Sequence, residues 1–555
     1  MSTRTRATRN QSLSSRTRFV TTLFAVLLLL HQGKAAAWDF VWMNQLGTSA
    51  TDSLGGVAAD SLGVYVGGGT LGSFPGQSSA GGADAFLRKV DFLGAEVWTR
   101  QFGTPSGDTA GSVATDGTDV YVAGTTGGSL PAQVSAGGFD AYIRKYSSAG
   151  GLLWTHQFGT AGRDLVQQIA VHWSGVYLAG RTDGTFPGEP AGSGEDSYVA
   201  KLDPGTGGLI WVRQFGVRGL PVGIPSGVAV DDTGVYGLGQ HWTGDVSVPP
   251  SLLRRYDFDG NVLWTRQIPT SNGCVANFWS VAVHPTGVYA LGQADDGYFA
   301  GQGCQGTLNS AVHARTGVGF LRKFAVNGDV SWTREIKAVP KQGHGVDLFT
   351  GAKRIRVSDA GVFVSANLST SFAGHVPGQS PQDTAGCPAS DPDFFDKFDA
   401  YVRQYDFDGN VVWTHQFGSG RFDIAWDVAA SGDSLYIGGD TDCRIDPSQT
   451  PRGGRDAYLL RVTLHPTSLP GQVQLIVGRV ETLNDAGLLA PGEFGSLVKH
   501  LEGALSALDQ GKSGVAGQRL EVFINEVETL ESRGTLSAAS AAPLVAAADA
   551  VIAQF

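Results

Sequence analysis

A tryptophan-centred phrase recurs along this chain, and its spacing limits the available folds more than any other feature. It reads Val41-Trp42-Met43-Asn44-Gln45-Leu46-Gly47, then Trp98-Thr99-Arg100-Gln101-Phe102-Gly103, then Trp154-Thr155-His156-Gln157-Phe158-Gly159. It continues at Trp211, Trp264, Trp332 and Trp413, with successive spacings of 56, 56, 57, 53, 68 and 81 residues. Self-similarity at this period marks a repeat architecture. Each Trp is read first as a packing residue whose indole covers the neighbouring repeat.

One programme fills the interval between tryptophans. From Trp98 to Trp154, Ser112 to Thr115 reads as a short strand and Asp116-Gly117-Thr118-Asp119 as a turn. Val120 to Gly124 is a second strand, Asp140 to Tyr146 a third and Leu152 to Phe158 a fourth, with Gly-rich loops between. Four short antiparallel strands per repeat of this length make one propeller blade. Sets of first-to-third strands start near Gly56, Ser112, Ile169, Val228, Val281, Ile355 and Val428. The first Trp phrase has no strands before it, and the last set, ending at Asp456-Ala457-Tyr458-Leu459-Leu460-Arg461, has no Trp phrase after it. The two halves complete one blade, so the N-terminal strand is expected to close the ring and remove its open edges. The predicted fold is an all-β, seven-bladed β-propeller of four-stranded antiparallel blades over residues 38–468. A small all-α domain of four helices over 469–555 follows it.

The succession Val-Tyr-Val-Ala-Gly, Asp-Ala-Tyr, Trp and Gln-Phe-Gly resembles the bacterial seven-bladed β-propeller repeats known as SBBP repeats, over about residues 38 to 465. The resemblance implies the fold and leaves activity open, because propellers host many. Beyond Pro470 the turns give way to Ala, Leu and Glu, and helices are predicted at about 471–484, 491–509, 515–532 and 537–554. Leu520, Phe523, Ile524, Val527 and Leu530 share one face of the third. Phe523-Ile524-Asn525-Glu526-Val527, then Gly534-Thr535-Leu536-Ser537 and an Ala-rich helix, resembles the small helical FIMAH domain. Two readings stay open for it, a packing module and a device for attachment or partner docking.

Residues 1–37 read as a secretory signal peptide. Arg4, Arg6, Arg9, Arg16 and Arg18 precede the apolar run Phe19 to Leu30, and Ala35-Ala36-Ala37 offers a cleavage site. The run is short for a membrane span, so a secreted or periplasmic protein without a membrane span is expected. Residues 1–37 hold six basic and no acidic residues, leaving 34 basic and 51 acidic residues beyond them, a net of −17. That charge disfavours nucleic acid as a partner. Four cysteines in an exported chain suggest two disulfides, expected as Cys274–Cys304 and Cys387–Cys443.

Asp84, Asp140, Asp196, Asp399 and Asp456 open the third strands, and Asp52, Asp108, Asp164 and Asp423 are placed in the turn after the Trp phrase. Strand alternation puts both sets on one face of the ring. Turn capping is the simpler reading. Calcium is the alternative, with Asp84, Asp140, Asp108 and Asp164 as candidate ligands. Asp257-Phe258-Asp259-Gly260-Asn261 and Asp406-Phe407-Asp408-Gly409-Asn410 look like calcium loops, but the twelfth position holds Ile268 or Phe417 in place of Glu, which favours hairpin turns. Blades 5 and 6 carry insertions at 295–312 and 371–397, and pinned long loops are where binding surfaces lie. The candidate ligand-binding residues are therefore Trp242, Trp279, Tyr298, Phe299, Asp391 and Asp393.

No G-x-S-x-G elbow or paired-carboxylate motif is present, and the histidines lack metal spacing. The sequence favours an exported, monomeric, non-catalytic scaffold that contacts an envelope or extracellular glycan or protein and needs no cofactor. The alternative is an exported propeller enzyme, a lyase or a quinoprotein-type dehydrogenase, the latter because Leu202-Asp203-Pro204-Gly205-Thr206-Gly207-Gly208-Leu209-Ile210-Trp211 resembles a docking-tryptophan repeat. Titratable residues converging on the central channel would favour the enzyme, and a channel of small apolar residues the scaffold.

Overall fold

The computed structural model describes residues 40–555 except 191–193, 217–226, 241–250, 268–275, 296–316, 337–349, 370–397, 420–421, 443–453, 465–468 and 486. β1 (Phe40–Leu46) precedes the first blade. Blade 1 is β2 (Asp52–Asp60), β3 (Gly63–Thr70), β4 (Asp84–Val90) and β5 (Glu96–Phe102). Blade 2 is β6 (Asp108–Thr115), β7 (Asp119–Thr126), β8 (Asp140–Ser147) and β9 (Leu152–Phe158). Blade 3 is β10 (Asp164–His172), β11 (Gly175–Thr182), β12 (Asp196–Leu202) and β13 (Leu209–Gly216). Blade 4 is β14 (Gly227–Asp231), β15 (Gly234–Gln240), β16 (Ser251–Tyr256) and β17 (Val262–Gln267). Blade 5 is β18 (Ala276–His284), β19 (Gly287–Asp295), β20 (Gly317–Phe324) and β21 (Val330–Ile336). Blade 6 is β22 (Thr350–Ser358), β23 (Gly361–Ser369), β24 (Phe398–Tyr405) and β25 (Val411–Phe417). Blade 7 is β26 (Asp423–Ser431), β27 (Ser434–Thr441) and β28 (Asp456–Thr463), completed by β1. Met43 pairs with Leu460 and Gln45 with Tyr458, so the two ends of the repeat region close the ring as the half-repeats predicted.

The strands follow from composition. Second strands such as Val64-Tyr65-Val66 and Val120-Tyr121-Val122 are β-branched and aromatic and fully buried, because each lies inside a sheet packed on both faces. The tyrosine meets the Trp of its own blade, at 6.3 Å for Tyr65 and Trp98 and 6.1 Å for Tyr121 and Trp154. The Trp then reaches the next blade. Trp98 Nε1 donates to Ser148 O at 3.1 Å, Trp154 to Pro204 O at 3.3 Å, and Trp211 to Phe258 O at 3.1 Å. Each acceptor lies in the turn between the third and fourth strands of the following blade. Gly150 closes one such turn at φ +83°, and a Cβ there would stand 2.8 Å from the Trp98 ring. Close approach and the left-handed backbone both demand glycine.

First strands differ from their reading. In six blades they start four or five residues earlier, at Asp52, Asp108, Asp164, Ala276, Thr350 and Asp423, because a bulge such as that between Ala110 and Ser112 breaks the alternation that the reading relied on.

Four helices follow: α1 (Leu469–Asp485), α2 (Pro491–Asp509), α3 (Ser513–Ser532) and α4 (Ala538–Ile552). Val477, Leu501, Leu520, Phe523, Val527 and Leu544 form their common core. Helix α1 lies against β25. Arg403 and Glu481 make a buried ion pair at 3.3 Å, and the Val411 amide donates to Thr482 Oγ1 at 2.8 Å. Among the described residues, no helix is long and apolar enough to cross a membrane.

Candidate functional site

The bulge of blade 2 recurs. The register shifts by one residue in β2, β6, β10, β18, β22 and β26, always at the third to fifth residue. A bulge re-aims the side chain of its extra residue. Here the extra residues are Gly55, Gly111, Gln167, Trp279, Lys353 and Trp426, and all six line one cavity of about 540 Å³ on the central axis. The counterpart in blade 4 lies outside the described residues.

The cavity has two unlike walls. Blades 1 and 2 present Gly55, Gly69, Gly111 and Ala110 beside Ser53, Leu54 and Thr109, a wall of mostly small residues. Blades 5, 6 and 7 present Trp279, Lys353, Arg354, Trp426 and Asp440. Gln293 and Asp440 stand near the ends of second strands, so the cavity opens on the face from which the insertions of blades 5 and 6 depart. Titratable groups and small residues thus both converge on the channel, on opposite sides.

Beneath the bulge residues a polar belt joins the blades. Arg354 reaches across the axis from blade 6 to donate to Gln167 O in blade 3 at 3.1 Å. Asp427 takes Arg356 at 2.6 Å and Arg354 at 3.9 Å, and accepts from the Val57 amide of blade 1. Ser112 Oγ and Ser280 Oγ accept from the next blade's Ile169 and Ile355 amides. Asp440 accepts from the Leu54 amide at 2.6 Å and from Trp426 Nε1 at 2.7 Å.

Burial dominates the electrostatics. It lowers Lys353 to about 8, and its Nζ lies 4.7 Å over the Trp426 ring. Burial also lowers Arg354 to about 10, with Asp427 opposing and Arg356 reinforcing the shift. Asp440 is raised to about 7, again by burial, against its hydrogen bonds from Leu54 and Trp426. Two polar atoms of the bulge residues, Trp279 Nε1 and Gln167 Oε1, are buried without a hydrogen-bond partner among the described residues. The arrangement can accept a ligand that supplies an acceptor to one, a donor to the other and negative charge to Lys353.

Of the residues singled out from sequence, Trp279 lies in this cavity. Trp242, Tyr298, Phe299, Asp391 and Asp393 and all four cysteines lie outside the described residues. Lys353, Arg354, Trp426 and Asp440 were missed. Aligning the first strands by repeat would have exposed Lys353 and Trp426, because the bulge position runs Gly, Gly, Gln, Trp, Lys, Trp; Arg354 and Asp440 stand at other positions and carry no such signal.

The calcium candidates are brought together in pairs. Asp108 and Asp164 are not in a turn: each is the first residue of an innermost strand and is fully buried, because its carboxylate folds back over the loop before it. Asp108 Oδ2 accepts from the amide of Thr104 at 2.6 Å and from its hydroxyl at 2.9 Å. Asp84 Oδ2 accepts from the Ala80 amide at 3.0 Å and from Gln101 Nε2 at 2.8 Å. Both carboxylates crowd Gly103, where a Cβ would meet Asp84 Oδ1 at 2.3 Å and Asp108 Oδ2 at 2.9 Å. Asp140 and Asp164 crowd Gly159 in the same way. Burial raises Asp108 and Asp164, their threonine partners pull them back, and the facing Asp84 or Asp140 adds to the rise. Capping accounts for one oxygen of each carboxylate. Among the described residues, no group of three or more metal-ligating side chains forms. Asp257 and Asp406 cap hairpin turns, accepting from Asn261 N and Asn410 N at 2.8 Å each. Trp211, in the docking-tryptophan look-alike, makes the same inter-blade hydrogen bond as Trp42, Trp98, Trp154, Trp264 and Trp332.

Comparison with known proteins adds little chemistry. No protein-family model matches the chain. A stretch of 116 residues is 33% identical to the regulatory protein FlaEY of Caulobacter vibrioides, covering 20% of this chain and only 12% of that protein's length. Among solved structures, glutaminyl cyclase of Myxococcus xanthus aligns over 46% of this chain and 90% of its own at 16% identity and TM-score 0.22. The polysaccharide lyase Uly1 aligns over 77% and 92% at 9% identity and TM-score 0.40. A member of the DUF4221 family from Bacteroides vulgatus aligns over 78% and 98% at 8% identity and TM-score 0.34.

Proposed function

We propose that this protein is an exported, non-catalytic binding propeller of the SBBP-repeat type with a FIMAH-like helical domain, and that its ligand, an envelope or extracellular glycan or protein, enters the mouth of the central channel. One observation carries the reading. Six bulges turn one residue per blade into a single axial cavity, and the three bulky or charged ones, Trp279, Lys353 and Trp426, gather on one side. A volume of about 540 Å³ is in the range of small-ligand sites. The site offers the indole rings and hydrogen-bonding groups that saccharides use. Calcium at the paired aspartates would be structural in this reading.

The test fills the channel. Gln167→Trp places an indole at a bulge position where the chain already carries two. The variant is expected to keep the wild-type melting temperature and to lose binding across an array of envelope polysaccharides and proteins. Full retention of binding by the variant rejects the channel as the site.

A lyase reading is second. It is favoured by Lys353 at about 8 and Asp440 at about 7, two groups within reach of proton transfer at neutral pH. Turnover of any polysaccharide that stops in Lys353→Met would replace the binding reading with this one.

A further inference from the structure

The charges at the channel mouth do not balance, and this imbalance identifies a ligand class. This step rests on the channel being the binding site. Arg354 and Arg356 share Asp427. Asp440 is held by two hydrogen-bond donors, one from blade 1 and one from Trp426. Lys353 has no carboxylate partner among the described residues; its recorded neighbour is the face of the Trp426 ring. The whole chain carries a net charge of −11, so a positive pole at its axis is a local feature with no general electrostatic cause. Long-range repulsion keeps polyanions away, and a single short-range pairing is what remains.

The surroundings narrow the class. Phosphate and sulfate sites gather several cations or a bidentate Arg fork, whereas Arg354 commits Nη2 to Gln167 O and keeps Asp427 3.9 Å from a buried Nε that makes no hydrogen bond, so it offers no free fork. One ammonium suits one carboxylate. Around it stand two indoles, an unpartnered donor at Trp279 Nε1, an unpartnered acceptor at Gln167 Oε1 and the amide of Gln293. Hydroxyl groups, which donate and accept at once, satisfy both orphaned atoms, whereas an aliphatic acid, whose carboxylate only accepts, leaves Gln167 Oε1 without a donor. The bare backbone wall of Gly55 and Gly111 leaves room for a ring.

We propose that the channel mouth binds a sugar residue bearing one carboxylate, with Lys353 as its counter-ion, Trp279 and Trp426 as apolar walls, and Gln167 and Trp279 Nε1 reading its hydroxyls.

The experiment uses matched probes. Binding of the full exported chain is measured by calorimetry for galacturonate, glucuronate, mannuronate and sialyl oligosaccharides, each beside its methyl ester, and for a Glu-rich peptide of equal charge. At least one acid is expected to bind about tenfold or more tightly than its ester. That preference should shrink with added salt and vanish in Lys353→Met; Lys353→Arg should retain part of it. Melting curves confirm that both variants fold. Equal affinity for acid and ester, or an unchanged preference in Lys353→Met, overturns the carboxylate assignment and leaves the channel reading standing. Tighter binding of the peptide than of every acidic sugar overturns the saccharide assignment. Absence of binding for every probe overturns the inference, and the channel reading falls with it only if Gln167→Trp also leaves array binding intact.

Discussion

Asp423 shows how a single residue of the repeat is placed under strain. It is fully buried at the start of β26, accepts from the Ser419 amide at 2.6 Å, and faces Asp399 across Gly418. Burial pushes it up to about 7, with Asp399 adding to the rise. A carboxyl whose folded pKa lies above its unfolded value stabilises most when protonated. That stability is complete below about 4 and is lost as pH rises through about 7. Asp423→Asn removes the ionisation and keeps an acceptor for the Ser419 amide. Its melting temperature relative to wild type should therefore rise steadily between pH 4 and pH 8; a difference that stays flat with pH refutes the assignment. The aspartates themselves were legible in the sequence as a recurring pair of positions. Their burial was not, because a carboxylate that caps a loop looks the same in sequence whether the loop lies on the surface or under the next blade.

At the scale of elements, helix α1 is tied to blade 6 by the ion pair of Arg403 with Glu481, both nearly inaccessible to water. Thr414 adds a hydroxyl to the same carboxylate at 3.3 Å. Removing one partner of a buried pair leaves an uncompensated charge and costs about 3–5 kcal/mol. Glu481→Ala should lower the denaturant midpoint accordingly, and Arg403→Met with Glu481→Leu should recover most of the loss. If the single variant unfolds like wild type, the contact is not a tie. The helices were readable from their three- and four-residue spacing, as with Leu520, Phe523, Val527 and Leu530, all buried. Their docking on β25 was not, because Glu481 reads as an ordinary exposed helix residue until its partner, 78 positions away, is in place.

For the whole molecule, stability depends on closing the ring. β1 contributes the outer strand of blade 7, and without it β28 presents a free edge to solvent. Deleting residues 40–46 should cause self-association and broaden thermal unfolding. Adding a peptide of residues 38–48 in excess should reverse both, as read by light scattering and calorimetry. A truncated chain that stays monomeric and melts as sharply as wild type would show that closure by β1 is dispensable. The half-repeats at the two ends announced this closure, because an unpaired Trp phrase and an unfinished blade have only each other to complete.

The sequence by itself determined the number of blades, the strand order within each, the closing strand and the four helices. All of these follow from local periodicity and from repetition, which are properties of neighbours in the chain. Tertiary structure alone decided where the candidate site lies. The axis of the ring gathers one residue from each of several blades, from Gly55 to Trp426 with Gln167, Trp279 and Lys353 between, across 371 positions of sequence. Each occupies a bulge, where the two-residue alternation of a strand fails, so the rule that reads strands from sequence points these side chains the wrong way.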